Sequence, residues 1–409
     1  MTKRLYFDRP DLLEFESLVE AVVVPSTEEP RPGVILRETA FYPTSGGQVH
    51  DTGWLTLDAK DRVRVTEVAE QEDGRIVHYL EASVRAAEGT AVGGVIDSER
   101  RRDHMQQHSG QHVLSAAFVE LYQMPTGSFH MGDDYCSIDL ATPVVNAEQV
   151  AGAEKRANQI VFENRPVQIR YVSRAEAEKL GLRKLPPAER DQLRLIEVTG
   201  FDLSACGGTH VAATGQIGAI LLRKTERVRQ GTRVEFVSGE RAVRAARRDY
   251  DALSESAALF SAQLGDVPNQ IRKSFDDLKV LRKQKDDALE ELAEALAIAA
   301  LNEQPETTGR RVIVRSFGDR DTGFVKLFAQ NAVRTGIPAV ALVASSLDPP
   351  SLVFSQSAGG TADMGTLLKQ VLTSVGGRGG GSRDFAQGGV PAGTNVEQLL
   401  RQAAATIEA

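Results

Sequence analysis

"ERRRDHMQQHSGQHVLSAAFVELY", residues 99–122, is where the chain changes character. Within it Met105, Val113, Leu114, Ala117, Phe118 and Leu121 recur at helical spacing, and Asp97 or Ser98 just upstream supplies an N-cap oxygen. The stretch predicts a long helix. Before it, the apolar runs 18–24, 34–36, 63–68, 76–80 and 92–96 are short and separated by Pro, Gly and Asp. They predict a small, mostly β, barrel-like unit over residues 1–95. After it, α and β patterns mix to residue 238, with strands expected at 193–198, 217–222 and 233–237.

Two further regions follow. Over 239–305 the pattern is nearly all helical, interrupted around "GDVPNQ" (265–270), and Phe275, Leu278, Leu281, Ala288, Leu292, Ala295 and Ala299 recur at spacings of three, four or seven. That spacing suits an antiparallel helical hairpin or short coiled coil better than a linker. Residues 306–409 alternate strand-like runs (312–315, 339–343, 351–354) with helix-like ones (323–334, 364–375) and close on a glycine-rich tail. The expectation is an α+β protein of four parts: 1–95, 96–238, 239–305 and 306–409.

Composition sets outer limits. At 409 residues, 41% hydrophobic and 25% charged, the chain has the make-up of an ordinary globular protein with more than one core. No apolar run reaches membrane-spanning length, and "MTKRLYFDRPDLLEF" lacks the apolar core of a signal peptide, so a cytoplasmic protein is expected. Two cysteines, Cys136 and Cys206, cannot build a disulfide framework. A net charge of −8 argues against indiscriminate coating of nucleic acid and leaves room for local basic faces.

The chemistry concentrates in two pairs. His108 and His112 lie at i and i+4 on the predicted helix, so their imidazoles share one face. "CGGTH" (206–210) places Cys206 and His210 across a glycine turn. Each pair alone is weak evidence, but together they make a zinc-like ligand set of three histidines and one cysteine. His104 extends the helical series, so the spacing by itself leaves the helix pair open to a shift of one turn.

"HSGQH" followed downstream by "CGGTH" resembles the paired zinc motif of the alanyl-tRNA synthetase editing domain and its free-standing relatives, the AlaX proteins. "TAFYPTSGGQVHDTG" (39–53) is similar to that family's upstream signature, and "GGRGGGSRDFAQGG" (376–389) resembles part of a DHHA1 domain. The long AlaX form has this order of parts. The resemblance settles the helix ligands as His108 and His112. It implies one Zn2+ ion, hydrolysis of serine (or glycine) wrongly esterified to alanine tRNA, and a pocket in which Thr39 reads the serine hydroxyl and Gln48 lines the wall. His210 is implied either as fourth ligand or as a neighbour of the ligands, and the zinc either as catalytic or as structural. With only about forty residues before the signature, no aminoacylation domain is expected. Arg100 and Arg101 before the metal helix, Arg183 and Lys184, the segment 223–233, the arginines of 241–248, and Arg378 and Arg383 in the tail are candidate tRNA contacts. A homodimer through the helical region or the last domain is also expected. The alternative is a non-catalytic tRNA-binding protein stapled by zinc.

Overall fold

A computed structural model of the protein describes residues 1–27, 29–58, 61–180, 182, 192–229, 231–306 and 309–408. The chain forms two compact units, Met1–Glu255 and Ser256–Ala409.

The first unit opens with a closed six-stranded antiparallel barrel, ordered Glu14–Val23, Gly33–Leu36, Ile76–Leu80, Asp61–Glu70, Gly53–Leu57 and Ala91–Ile96. Five strands grow from the five apolar runs. The sixth, "GWLTL", has only a short alternating pattern and no run, so it escapes a sequence reading; its Leu55 and Leu57 point inward and are buried. Helix α1, Ser98–Tyr122, follows, with the Asp97 carboxylate accepting the Arg100 amide at 3.2 Å as N-cap. Its stripe holds at Val113, Leu114, Ala117 and Phe118, with Met105 partly buried, whereas Leu121 is 43% exposed in the last turn.

Helix α1 packs with the helix Ala147–Phe162 around one core. That core also takes in a four-stranded antiparallel sheet ordered Ile220–Val228, Gly231–Ser238, Cys136–Leu140, Thr126–Met131. A three-stranded sheet, Val167–Ser173, Gln192–Val198 and Asp202–Ala205, carries the second ligand pair at its end. The strand expected at 217–222 starts later: Thr214–Ile217 is a 3-10 turn that buries Ile217, and the strand runs Ile220–Val228.

Two helices, Gly239–Leu259 and Val267–Glu303, occupy the stretch expected to be helical. The interruption falls earlier than "GDVPNQ" suggests, because Pro268 sits in the first helical turn, where its missing N–H costs nothing.

In the second unit a five-stranded sheet is ordered Arg311–Phe317, Ala339–Ser345, Ser351–Gln356, Phe385–Gly389, Arg378–Gly381; its first pair is parallel and the rest antiparallel. Alternation along Ala339–Ser345 sends Val340, Leu342 and Ala344 toward the helices Met364–Thr373 and Val396–Glu408. Ala339, Ala341 and Val343 point toward Thr322–Arg334 and the end of Val267–Glu303. The glycine-rich tail is not a loose loop: Arg378–Gly381 is an edge strand, and Gly379 and Gly381 lie so near their neighbours that a Cβ would stand 2.4 and 2.2 Å from backbone atoms.

Candidate metal centre

One helical turn separates His108 from His112, and their rings stack with centroids 5.3 Å apart. The turn after Asp202–Ala205 brings Cys206 and His210 against them. Cys206 Sγ lies 3.2 Å from His108 Nε2 and 3.4 Å from His210 Nε2, and all four donor atoms fall within 4.8 Å of one another. Tetrahedral zinc, with bonds of about 2.0–2.3 Å, separates neighbouring nitrogen and sulfur donors by about 3.3–3.6 Å. Three imidazoles and a thiol at these separations fit zinc. His104, though buried, is outside the cluster; burial and the nearby Arg100 charge push it down to about 4, so it stays neutral.

The donors are electrostatically prepared. Burial alone would raise the Cys206 thiol, but His108, His210 and His112 outweigh it and hold the group well below its ordinary value. Burial likewise works to lower His112, yet the Cys206 charge and Asp202 carry it up to about 9. Around the centre, Asp202 lies 3.5 Å from His112 Nδ1, and Ser109 Oγ lies 3.2 Å from His210 Nδ1. Arg194 donates to the carbonyls of Cys206 (2.7 Å) and Gly208 (3.1 Å) and so fixes the turn from outside. Gly208 is required for space: a Cβ there would stand 2.5 Å from the His108 ring.

The "FYPTSGGQ" segment reaches this turn directly. Gln48 donates from Nε2 to Thr209 Oγ1 at 2.8 Å and accepts the Thr209 amide at 3.1 Å, so one buried side chain joins motifs 161 residues apart. Gly46 and Gly47 adopt φ of 58° and 85°, the left-handed region that glycine alone enters freely. Thr39 is fully buried. Its hydroxyl lies 2.8 Å from His78 Nε2 and accepts the Phe41 amide at 3.1 Å. His78 Nδ1 meets the Val34 carbonyl at 3.2 Å; a carbonyl only accepts, so Nδ1 carries the proton, Nε2 accepts, and the Thr39 hydroxyl donates. Burial holds His78 down to about 4, neutral across the ordinary range.

The expected basic contacts fare unevenly. Arg101 is a correction: it is 1% exposed and bound to the fully buried Asp51, with further bonds to the carbonyls of Pro10 and Ala40, so no hydrogen-bonding face is left for phosphate. Arg100 is half-buried and donates to the His50 carbonyl. Arg223, Arg233 and Arg241 pair with Asp249, Asp139 and Asp103. Arg378 and Arg383 are exposed on the second unit, Arg383 donating to the Gly360 carbonyl. Arg183 and Lys184 lie outside the described residues. Thr209 and Ser109 sit inside the two ligand motifs and were legible as neighbours of the ligands. Asp202, Arg194 and His78 carry no local signal, because only the fold brings them near.

Fold and site together define a two-unit α+β protein with a buried cluster of three histidines and one cysteine beside a barrel. Three family models match it in order: "tRNA synthetases class II (A)" over residues 15–100, "Threonyl and Alanyl tRNA synthetase second additional domain" over 193–234, and "DHHA1 domain" over 311–409. The chain carries an alanyl-tRNA synthetase-like editing domain and a DHHA1 domain, and archaeal alanine–tRNA ligases are its homologues over nearly its whole length. It is 32% identical over 420 residues to the alanine–tRNA ligase of Methanosarcina mazei, covering 98% of this chain and 43% of that protein. With the Pyrococcus furiosus ligase it shares 32% identity over 348 residues, 81% of this chain and 36% of that one. The chain thus spans less than half the length of these relatives. The solved C-Ala domain of Aquifex aeolicus alanyl-tRNA synthetase is 18% identical and covers 26% of this chain and 99% of that chain, at a TM-score of 0.24. Among the described residues, no helix is long and apolar enough to cross a membrane.

Proposed function

We propose that the protein is an editing hydrolase of the long AlaX type, which cleaves the ester of alanine tRNA mischarged with serine or glycine. The observation that carries this reading is the Gln48–Thr209 pair, which fixes the "FYPTSGGQ" segment onto the turn bearing Cys206 and His210. Two distant motifs are built as one site.

The need for such an activity is physical. A pocket made for alanine discriminates poorly against one methyl fewer or one hydroxyl more, so a second site must remove the errors. A site that hydrogen-bonds the serine hydroxyl rejects alanine, because its buried partners would go unpaired. Thr39, whose hydroxyl donates a hydrogen bond to His78 and accepts the Phe41 amide, keeps one acceptor site and suits a substrate that brings a hydroxyl donor. Gln48 acts here as a positioning residue, since both ends of its amide are taken by Thr209. His108, His112, Cys206 and His210 would hold one zinc ion. When bound, zinc supplies a Lewis acid and lowers the pKa of a coordinated water.

In this reading the second unit contacts tRNA through Arg378 and Arg383, exposed beside the glycine-rich edge strand. A homodimer through the helical segment belongs to it as well, supported by Phe275, 69% exposed, and the exposed Leu278 and Leu281. The second reading, a tRNA-binding protein with a structural zinc, draws on the internal commitment of Thr39 and Gln48 and on four ligands that fill a tetrahedron. Purified protein with labelled seryl- and alanyl-tRNA for alanine, with and without a chelator, separates the two. Selective, chelator-sensitive loss of the seryl ester is expected; equal background loss of both esters sinks the editing reading.

A further inference from the structure

The three histidines of the centre are not held alike. His210 turns Nε2 toward Cys206, and its Nδ1 meets Ser109 Oγ at 3.2 Å, an oxygen that also accepts the Val211 amide at 3.2 Å. His112 makes no well-formed bond through Nδ1, but the Asp202 carboxylate faces it at 3.5 Å, and Ser204 donates to that same carboxylate oxygen. His108 has neither support. Its Nδ1 is buried with no hydrogen-bond partner among the described residues and faces Gly208, where a Cβ would stand 2.9 Å from it. Its ring also meets Phe129, at 5.5 Å between centroids. Phe129 in turn abuts the glycine turn of the upstream motif: a Cβ on Gly47 would lie 2.5 Å from the Phe129 carbonyl, while Gly46 looks onto open space.

An imidazole bound to a metal through one nitrogen carries its proton on the other, and a partner for that N–H fixes the ring and strengthens the bond. Resting on the metal reading above, we infer that His108 is the exchangeable ligand of this centre. His112, Cys206 and His210 would hold the ion, and a neutral oxygen ligand such as water would take the place of the His108 imidazole. The exchange swaps one neutral two-electron donor for another, so charge and oxidation state are unchanged. This reverses the sequence expectation, in which His210 was the uncertain ligand.

The test is cobalt(II) titration of the full chain, followed by its visible absorption. Wild type is expected to bind one equivalent with a four-coordinate spectrum. His108→Ala should weaken binding at least tenfold less than His112→Ala or His210→Ala, and its spectrum should show an oxygen ligand that added imidazole displaces. Ser109→Ala, which removes the anchor of His210 together with the acceptor of the Val211 amide, should weaken binding by about 10–100-fold. Equal losses for the three histidine variants, or the mildest loss at His210→Ala, would overturn the inference, as would an unchanged affinity in Ser109→Ala. If circular dichroism shows His108→Ala unfolded, His108→Gln replaces it and the Ser109→Ala result still decides. A wild type that binds no cobalt overturns the metal reading and this inference with it. A wild type that binds cobalt with the wrong ranking leaves the metal reading standing.

Discussion

Replacing Arg101 by alanine distinguishes a structural arginine from an RNA-binding one. Its guanidinium donates from Nε to both Asp51 oxygens, at 3.2 and 3.1 Å, and from its two terminal nitrogens to Asp51, Pro10 and Ala40. Asp51 otherwise accepts the Tyr42 amide at 2.7 Å, and both side chains are essentially out of solvent. Arg101→Ala would leave a buried carboxylate with that one donor and two carbonyls unpaired. Breaking a buried pair from one side costs about 3–5 kcal/mol. In a unit of this size that lowers the melting temperature by about 6–20 °C. Thermal unfolding by circular dichroism, with urea denaturation as a check, reads it. Arg101→Met with Asp51→Leu should cost less than either single change, because no charge is stranded. The reasoning is refuted if Arg101→Ala costs under about 1 kcal/mol while the salt dependence of tRNA binding drops by about one counterion. That outcome would restore Arg101 as a phosphate contact.

Other consequences are as direct. Gln48→Ala and Thr209→Val should each destabilise by about 1–3 kcal/mol, and the double variant by less than their sum, since the Gln48–Thr209 side-chain bond is lost either way while the Thr209 amide bond is lost only with Gln48; additive costs in a urea double-mutant cycle would count against this coupling. His78 is held neutral by burial, with its folded value about 4 against 6.5 unfolded. The unfolded chain therefore binds the extra proton first, and stability complete above pH 6.5 falls as pH drops toward 4. The total from this group is about 3 kcal/mol, and His78→Gln should flatten that slope. Gly208→Ala should displace His108 and change the cobalt spectrum as His108→Ala does, while leaving the barrel folded, because its Cβ would strike the His108 ring; a wild-type spectrum would contradict the packing. A thiol reagent should modify metal-free protein fast at Cys206 and slowly at Cys136, which burial pushes up to about 12; metal should protect the fast thiol.

Much of the architecture was written locally. Five barrel strands follow from five apolar runs, and helix α1 from a stripe and an Asp cap, because each pattern lies within one element. "GWLTL" was missed since two inward leucines make no run, and the two glycine-rich strands were missed because glycine carries no side-chain pattern. The four candidate ligands were legible as residue types at metal-like spacing, with the helix register settled only by family resemblance.

What sequence determined, then, is the inventory: two ligand pairs, a glycine–glutamine turn, and the elements that carry them. The tertiary structure decided their assignments. It carried Arg101 into a buried bond with Asp51, engaged Thr39 with His78, and put Gln48 on Thr209. It also gave His112 and His210 neighbours that His108 lacks. Spacing along a chain can place two residues on one face, but a hydrogen-bond partner tens to hundreds of residues away is chosen only when the core closes. There, an unpaired polar group costs enough that most such side chains are drawn to whatever partner the fold brings within reach.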